Sequence, residues 1–249
     1  LWFAGNSKGL SRFDGVHFLN FGRSQGLPSS MFWSMETDHK DNIWLGTYGD
    51  DPGDGLLKFN GKSFTTFSED QGLPSNKVYF IHHDINDSLY IATSNGISIF
   101  DGKSFTNFSD RNGLVNNKVY CITKDKNGDF WFGTEAGISR YNGHSFINYY
   151  GENGPGNADI KSILEDKEGN LWLGSYGKGL YRFDGDNFYQ YTTEDGLPDY
   201  IVSQVALSAE GDIVIGTNNG IAILKGFDSK RNINDFQNNL ESFHIEIEV

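Results

Sequence analysis

A five-residue apolar segment recurs from one end of the chain to the other, and its spacing restricts the fold more than any other feature. An aromatic stands at its second position, and a small residue and a hydroxyl close it. The copies are Ile43-Trp44-Leu45-Gly46-Thr47, Leu89-Tyr90-Ile91-Ala92-Thr93, Phe130-Trp131-Phe132-Gly133-Thr134 and Leu171-Trp172-Leu173-Gly174-Ser175. Ile213-Val214-Ile215-Gly216-Thr217 keeps the pattern without the aromatic, and Leu1-Trp2-Phe3-Ala4-Gly5-Asn6 is a worn copy. The second positions are 2, 44, 90, 131, 172 and 214, at intervals of 42, 46, 41, 41 and 42 residues. A fixed period of this size means a solenoid, a propeller or a repeat array.

Each repeat has four parts. An apolar segment ending in a polar residue comes first: Met31 to Asp38, Val78 to Asp84, Val119 to Asp125, Ile160 to Asp166, and Ile201 to Ser208. The aromatic-centred segment follows. The third part is GLxxFDG or a variant, from Gly9, Gly55, Gly96, Gly137, Gly179 and Gly220. The fourth is a Phe-x-x-aromatic pair such as Phe64/Phe67 or Phe188/Tyr191. All are of strand rather than helix length. Asn127-Gly128 and Glu168-Gly169 join the first two parts, and Asn60-Gly61, Asp101-Gly102, Asn142-Gly143 and Asp184-Gly185 join the last two. Such pairs accept positive φ and close tight hairpins, so neighbouring strands are antiparallel. Aromatics at 15% and 31 glycines fit strands and turns.

The repeat is therefore a four-stranded antiparallel sheet, the size of a propeller blade. The expected fold is an all-β propeller over residues 1–226 with about six repeats: a six-bladed ring, or part of a seven-bladed one. Residues 227–239 read as a polar linker. Phe243 to Val249 alternates apolar and polar and reads as a strand. It would either pair beside Trp2–Gly5 and close the ring, the preferred reading, or open a following domain. The aromatic-centred strand is expected to be buried on both faces, with its Gly or Ala admitting a neighbouring backbone. Its hydroxyl is expected to satisfy a buried polar group, the Asp ending the first strand being the partner considered.

A net charge of −13 opposes binding to a phosphate backbone, so nucleic acid is not an expected partner. No apolar stretch approaches the ~20 residues that span a bilayer, so no membrane segment is expected. A single cysteine, Cys121, cannot form an internal disulfide and reads as core. The first residues already lie inside a repeat, so the chain reads as a piece of a longer protein.

The pattern D-x-x-G-x-ϕ-W-ϕ-G-T … G-L-x-x-F-D-G-x-x-F-x-x-Y … G-L-P, over residues 1 to about 226, resembles the two-component regulator propeller repeat. It is most similar to the periplasmic sensor region of hybrid two-component sensors of Bacteroidetes-type bacteria. The resemblance implies a non-catalytic, ligand-binding sensor in the periplasm, with glycan breakdown products as ligands and paired receptors in the full-length protein. It also implies that 240–249 would match the entry to a β-sandwich. No sandwich, membrane helix or kinase stands in this sequence, and propellers of this kind usually have seven blades. The alternatives are a lyase similar to the streptogramin-inactivating propellers, or a protein-interaction scaffold. Against the lyase, His17, His39 and His144 fall at outer strands or turns.

In an up-and-down blade, the GLP linkers and the loops after the aromatic strand share one face. That face would carry Phe32, Trp33, Tyr48, Tyr79, Tyr120, Glu135, Tyr176, Lys178, Asn218 and Asn219. Of these, Trp33, Tyr48, Tyr79, Tyr120, Glu135, Tyr176 and Lys178 are the candidate ligand residues. Aromatic rings beside polar groups suit sugars. The residue after the first apolar position differs from repeat to repeat (Trp33, Tyr79, Tyr120, Lys161, Ser203), whereas a structural position would tend to be the same in each. No catalytic residue, cofactor or metal is expected. The acidic insertion from Asp50 to Gly55 reads as a solvated loop rather than a calcium site, and Asp125 to Asp129 as a hairpin. His82 and His83 point to opposite faces of a strand and cannot readily chelate one ion.

Overall fold

A computed structural model describes residues 1–5, 9–28, 31–48, 54–226 and 240–243. No α-helix occurs among the described residues, and all the strand pairs are antiparallel. The first sheet has three strands, β1 (Trp2–Gly5), β2 (Gly9–Phe13) and β3 (Phe18–Phe21). The second has β4 (Phe32–Thr37), β5 (Ile43–Thr47), β6 (Leu56–Phe59) and β7 (Phe64–Phe67). The third has β8 (Val78–His83), β9 (Leu89–Thr93), β10 (Gly96–Phe100) and β11 (Phe105–Phe108). The fourth has β12 (Val119–Lys124), β13 (Phe130–Thr134), β14 (Gly137–Tyr141) and β15 (Phe146–Tyr149). The fifth has β16 (Asp159–Glu165), β17 (Leu171–Tyr176), β18 (Leu180–Phe183) and β19 (Phe188–Tyr191). The sixth has β20 (Val202–Leu207), β21 (Ile213–Thr217), β22 (Gly220–Leu224) and β23 (Leu240–Phe243). Strand order follows chain order in every sheet, as in a propeller blade. The chain divides into two compact units, residues 1–120 and 121–249.

Leu240–Phe243, ahead of the strand expected to pair beside Trp2–Gly5, lies antiparallel to β22, with Leu224 opposite Leu240, and supplies the fourth strand of the sixth sheet. The register explains the choice: Leu240 packs with the core of that sheet, and Glu241 is exposed and meets Lys225 at 2.8 Å. Apart from Phe243, the strand expected over Phe243–Val249 lies outside the described residues.

The aromatic-centred strands are buried at every position in β5 and β13 and throughout Leu171–Ser175 of β17. Their small residue is a contact point. A methyl group on Gly46 would lie 2.8 Å from Val78 Cγ1, and one on Gly174 would lie 2.9 Å from Val202 Cγ1. In each unit, therefore, the first strand of one sheet rests on the second strand of the sheet before it.

The hydrogen bonds within this strand differ from the expectation. The Thr or Ser hydroxyl donates not to the Asp but to the carbonyl oxygen of the glycine three to eight residues on that opens the third part: Thr47 to Gly55, Thr93 to Gly96, Thr134 to Gly137, Ser175 to Gly179 and Thr217 to Gly220, all at 2.7–2.9 Å. The Asp instead accepts the indole N–H. Trp44 donates to Asp38, Trp131 to Asp125 and Trp172 to Asp166, at 2.8–2.9 Å. Three residues at about 3.3 Å each separate positions two and five of the segment, so the side chain at position two meets the Asp turn while that at position five reaches the other end.

The remaining turns follow from local chemistry. The Asp or Asn of each FDG turn accepts two backbone N–H groups, as Asp184 does from Asp186 and Asn187, and the glycine after it takes positive φ. In four of the linkers a short 3-10 turn ends on a left-handed glycine, and the next leucine (Leu27, Leu73, Leu114, Leu197) is buried. Rings on the third and fourth strands stack: Phe59 on Phe64, Phe100 on Phe105, and Phe183 on Phe188, with centroids 4.4–4.5 Å apart.

Candidate functional site

The first strands of several sheets open on a β-bulge. Pairing skips one residue between Phe32 and Ser34, Val78 and Phe80, Ile160 and Ser162, and Val202 and Gln204. The extra residues are Trp33, Tyr79, Lys161 and Ser203, which are positions that vary among repeats. A bulge removes a residue from the ladder and re-aims its side chain. The next residue then ties one sheet to another. Ser34 Oγ accepts the Ile81 N–H at 3.1 Å, and Ser162 Oγ accepts the Val205 N–H at 3.0 Å.

In the first unit, four of the sequence-predicted residues meet. The Trp33 and Tyr48 ring centroids are 5.0 Å apart, Tyr48 and Tyr79 5.6 Å, Trp33 and Tyr79 6.1 Å, and Tyr79 and Tyr120 5.2 Å. Tyr48 is placed by its backbone N–H, which donates to the Met31 carbonyl oxygen beside the opening of β4. Exposure falls along the group: Trp33 is 57% exposed, Tyr48 half-buried, Tyr79 and Tyr120 buried. The ammonium of Lys118, a residue not anticipated from the sequence, lies 5.5 Å from the Tyr120 ring centre. Trp33 also lines a cleft of about 300 Å³ with Trp2, Phe3, Phe32 and Met35. Phe32, placed on the ligand face by its position, is core instead, with 7% exposure, because the bulge turns its neighbour outward and leaves it facing inward.

The remaining predicted residues lie in the second unit. Glu135 follows β13; Tyr176 ends β17 and Lys178 follows it, and all three are exposed. Lys161, the bulge residue of β16, stands 5.9 Å from the Tyr176 ring centre and pairs with Asp159 at 3.0 Å. Asn218 and Asn219 are exposed in the turn after β21. Cys121 is core, and burial pushes its thiol up to about 12. The acidic insertion lies outside the described residues except for Asp54 and Gly55.

A second group of polar side chains lies at the other ends of β4 and β8. Asp87 Oδ1 is 2.8 Å from His39 Nδ1 and 3.2 Å from His83 Nε2, and Lys40 Nζ is 3.4 Å from Asp87 Oδ2. The hydrogen bond from His39 holds the Asp87 carboxyl down to about 2, helped by His83 and Lys40 against a smaller effect of burial. Asp87 is thus a carboxylate across the range in which imidazoles titrate. Among the described residues no helix is long and apolar enough to cross a membrane.

The comparisons agree with this architecture. No curated protein matches the sequence. Among solved structures, the extracellular domain of the hybrid two component system BT3049 from B. thetaiotaomicron superposes with a TM-score of 0.75 at 26% identity, over 99% of this chain and 33% of that one. The chain thus spans about a third of that structure's length. The extracellular domain of BT4673 from the same organism gives a TM-score of 0.69 at 21% identity, over 88% of this chain and 30% of that one. Virginiamycin B lyase from Staphylococcus aureus gives 0.72 at 14% identity, over 96% and 78%, a likeness of fold alone. The two-component regulator propeller family matches residues 26–49, 113–136 and 153–177, each reaching from a linker or first strand through the aromatic-centred strand. The chain is an all-β propeller protein, three segments of which match the two-component regulator propeller repeat.

Proposed function

We propose that this chain is the extracytoplasmic, ligand-binding part of a two-component receptor, and that it recognises a neutral oligosaccharide in the periplasm. The reading is supported by the likeness to the extracellular domain of a hybrid two component system. The single observation that carries the ligand class is the aromatic group Trp33, Tyr48, Tyr79 and Tyr120, drawn from three repeats at positions that vary between repeats. Aromatic faces take the apolar faces of pyranose rings, and phenolic hydroxyls take sugar hydroxyls. Trp33 is the exposed platform, and the buried tyrosines fix its geometry. Binding acts as a signal only if the ligand favours one arrangement of paired receptors over another.

Calorimetric titration of this chain with a panel of neutral oligosaccharides tests the proposal. Saturable binding without turnover, weakened at least about tenfold in Trp33→Ala, is expected. Release of a modified sugar product, or the absence of binding across the panel, overturns it.

A further inference from the structure

We propose that His39, His83 and Asp87 form a binding site for a late first-row divalent cation, with Zn²⁺ the best match. The three side chains come from two repeats. His39 opens the turn after β4, His83 ends β8, and Asp87 lies in the turn after β8. His39 and Asp87 are 48 residues apart in the chain. One ligand atom from each residue lies within 4.8 Å of the other two. The His39 and His83 rings cross edge to face, with centroids 4.5 Å apart.

Two imidazoles with one carboxylate make a donor set that suits zinc and its neighbours rather than calcium or magnesium, which prefer all-oxygen surroundings. The geometry is close to that of a coordinated ion. Metal–ligand distances near 2.0–2.1 Å give tetrahedral edges of about 3.3 Å. The nitrogen–oxygen edges here are 2.8 and 3.2 Å. A carboxylate accepts and cannot donate, so both ring nitrogens facing Asp87 carry a proton in this arrangement. Coordination moves each proton to the other nitrogen of its own ring and replaces two hydrogen bonds by two metal bonds. Expansion of a few tenths of an ångström suffices. His83 is the fixed partner, with an 8% exposed side chain, and His39 is the accessible one at 59%.

The equivalent positions elsewhere strengthen the argument, because all three residues depart from their counterparts together. Between the fourth and fifth repeats the same places hold Lys126, Glu165 and Gly169. There the Lys126 backbone N–H donates to Glu165, and the Lys126 ammonium donates to the Glu168 carbonyl oxygen. In the following pair the Lys167 ammonium crosses Gly211 in the same way, 2.5 Å from where a methyl on that glycine would be. The residue that opens one turn therefore reaches over the left-handed position of the next turn. In three repeats that position is a glycine with φ between 92° and 95° (Gly128, Gly169, Gly211). In the third repeat it is Asp87 at φ 62°, a conformation uncommon for residues other than glycine, though less so for Asp. Asp41 shares the conformation at φ 59°, so the turn tolerates an aspartate. The imidazole on each side of the aspartate is what distinguishes the third repeat.

Lys40 is a cation at the site, its ammonium 3.4 Å from Asp87 Oδ2. Its exposed ammonium would be displaced from Asp87 Oδ2 by the incoming ion, so it opposes binding.

The test is titration of the 249-residue chain with Zn²⁺ by calorimetry and with Co²⁺ by visible absorption. One equivalent per chain is expected, with the Co²⁺ bands of a four-coordinate nitrogen–oxygen site. Asp87→Gly, which restores the residue used in the sister turns, and His39→Ala should each weaken binding at least about tenfold. Lys40→Ala should leave binding unchanged or tighter. Circular dichroism of the variants reports their folding, and Asp87→Gly is the variant least expected to disturb it. Zn²⁺ affinity unchanged in folded Asp87→Gly and His39→Ala, stoichiometric loss in His144→Ala instead, or no binding at all overturns the proposal.

Discussion

Trp172 and Asp166 show how a single polar contact fixes a buried strand. The indole is fully buried, and its N–H donates to the Asp166 carboxylate at 2.8 Å. The same carboxylate takes the Asn170 backbone and side-chain N–H groups. Asp166→Ala would leave these donors without their partner, and a buried donor without an acceptor costs about 1–3 kcal/mol. A loss of about 2–4 kcal/mol is expected from the urea midpoint with an unchanged slope. Asp166→Asn keeps an oxygen in place and should lose less. A value within experimental error of the wild type for Asp166→Ala would remove the bond from the stability argument. Asp38, the equivalent residue under Trp44, adds a pH dependence. Burial acts to raise its carboxyl, but the hydrogen bonds from Trp44, Asn42 and Lys40 together outweigh burial and leave it below the ordinary value. A carboxyl depressed in the folded state contributes stability that is full above its unfolded pKa, near 3.9, and is lost as pH falls through the folded value. Unfolding midpoints between pH 5 and pH 2 should therefore decline more steeply in the wild type than in Asp38→Asn. Parallel curves would sink this assignment.

At the scale of the element, packing between successive sheets depends on the small residue of each second strand. Gly174 has no room for a side chain: a methyl would meet Val202 Cγ1 at 2.9 Å and the Val202 carbonyl oxygen at 3.0 Å. Gly216, at the same place in the sixth sheet, has nothing nearer than 3.6 Å. Gly174→Ala should destabilise by about 1–3 kcal/mol, the usual cost of overpacking, whereas Gly216→Ala should be tolerated, as thermal unfolding of the two variants will report. Equal effects would mean that backbone freedom, not contact, explains the glycine. The strands themselves were legible because each is written five or six times, and repetition separates the pattern from local noise. The bulges were not, because a bulge is a property of the register between two strands. The signal that could have found them is the variable residue between two apolar ones, Phe32-Trp33-Ser34 and Val78-Tyr79-Phe80. That variation drew attention to Trp33 and Tyr79 without showing why they depart from the ladder. The partner of the Thr hydroxyl is not legible for a related reason: Asp38 and Thr47 belong to opposite ends of the same hairpin. The His39–His83–Asp87 group was hidden because adjacency in sequence, His82 beside His83, suggested a pair, while the partner of His83 stands one repeat away.

At the scale of the whole molecule, net charge limits what the aromatic group can bind. A formal charge of −13 produces a field that opposes acidic ligands at low ionic strength. A neutral oligosaccharide is indifferent to that field, since its contacts are short-range stacking and hydrogen bonds. Lys118, 5.5 Å from the Tyr120 ring centre, is the local feature that could reverse the preference by giving a carboxylate or sulfate a partner. The two cases separate by salt. The Debye length falls from about 30 Å at 0.01 M to about 10 Å at 0.1 M, so a charge-assisted site weakens steeply over that range and a stacking site does not. Affinity for a neutral oligosaccharide should change less than about twofold between 10 and 300 mM NaCl, and Lys118→Met should leave it in place. A sulfated or uronic-acid oligosaccharide should bind more weakly than its neutral counterpart at 10 mM and gain on it as salt screens the repulsion. Binding of the acidic form that is tightest at low salt and lost in Lys118→Met would transfer recognition from the rings to the lysine, and neutral glycans would no longer be the ligand class.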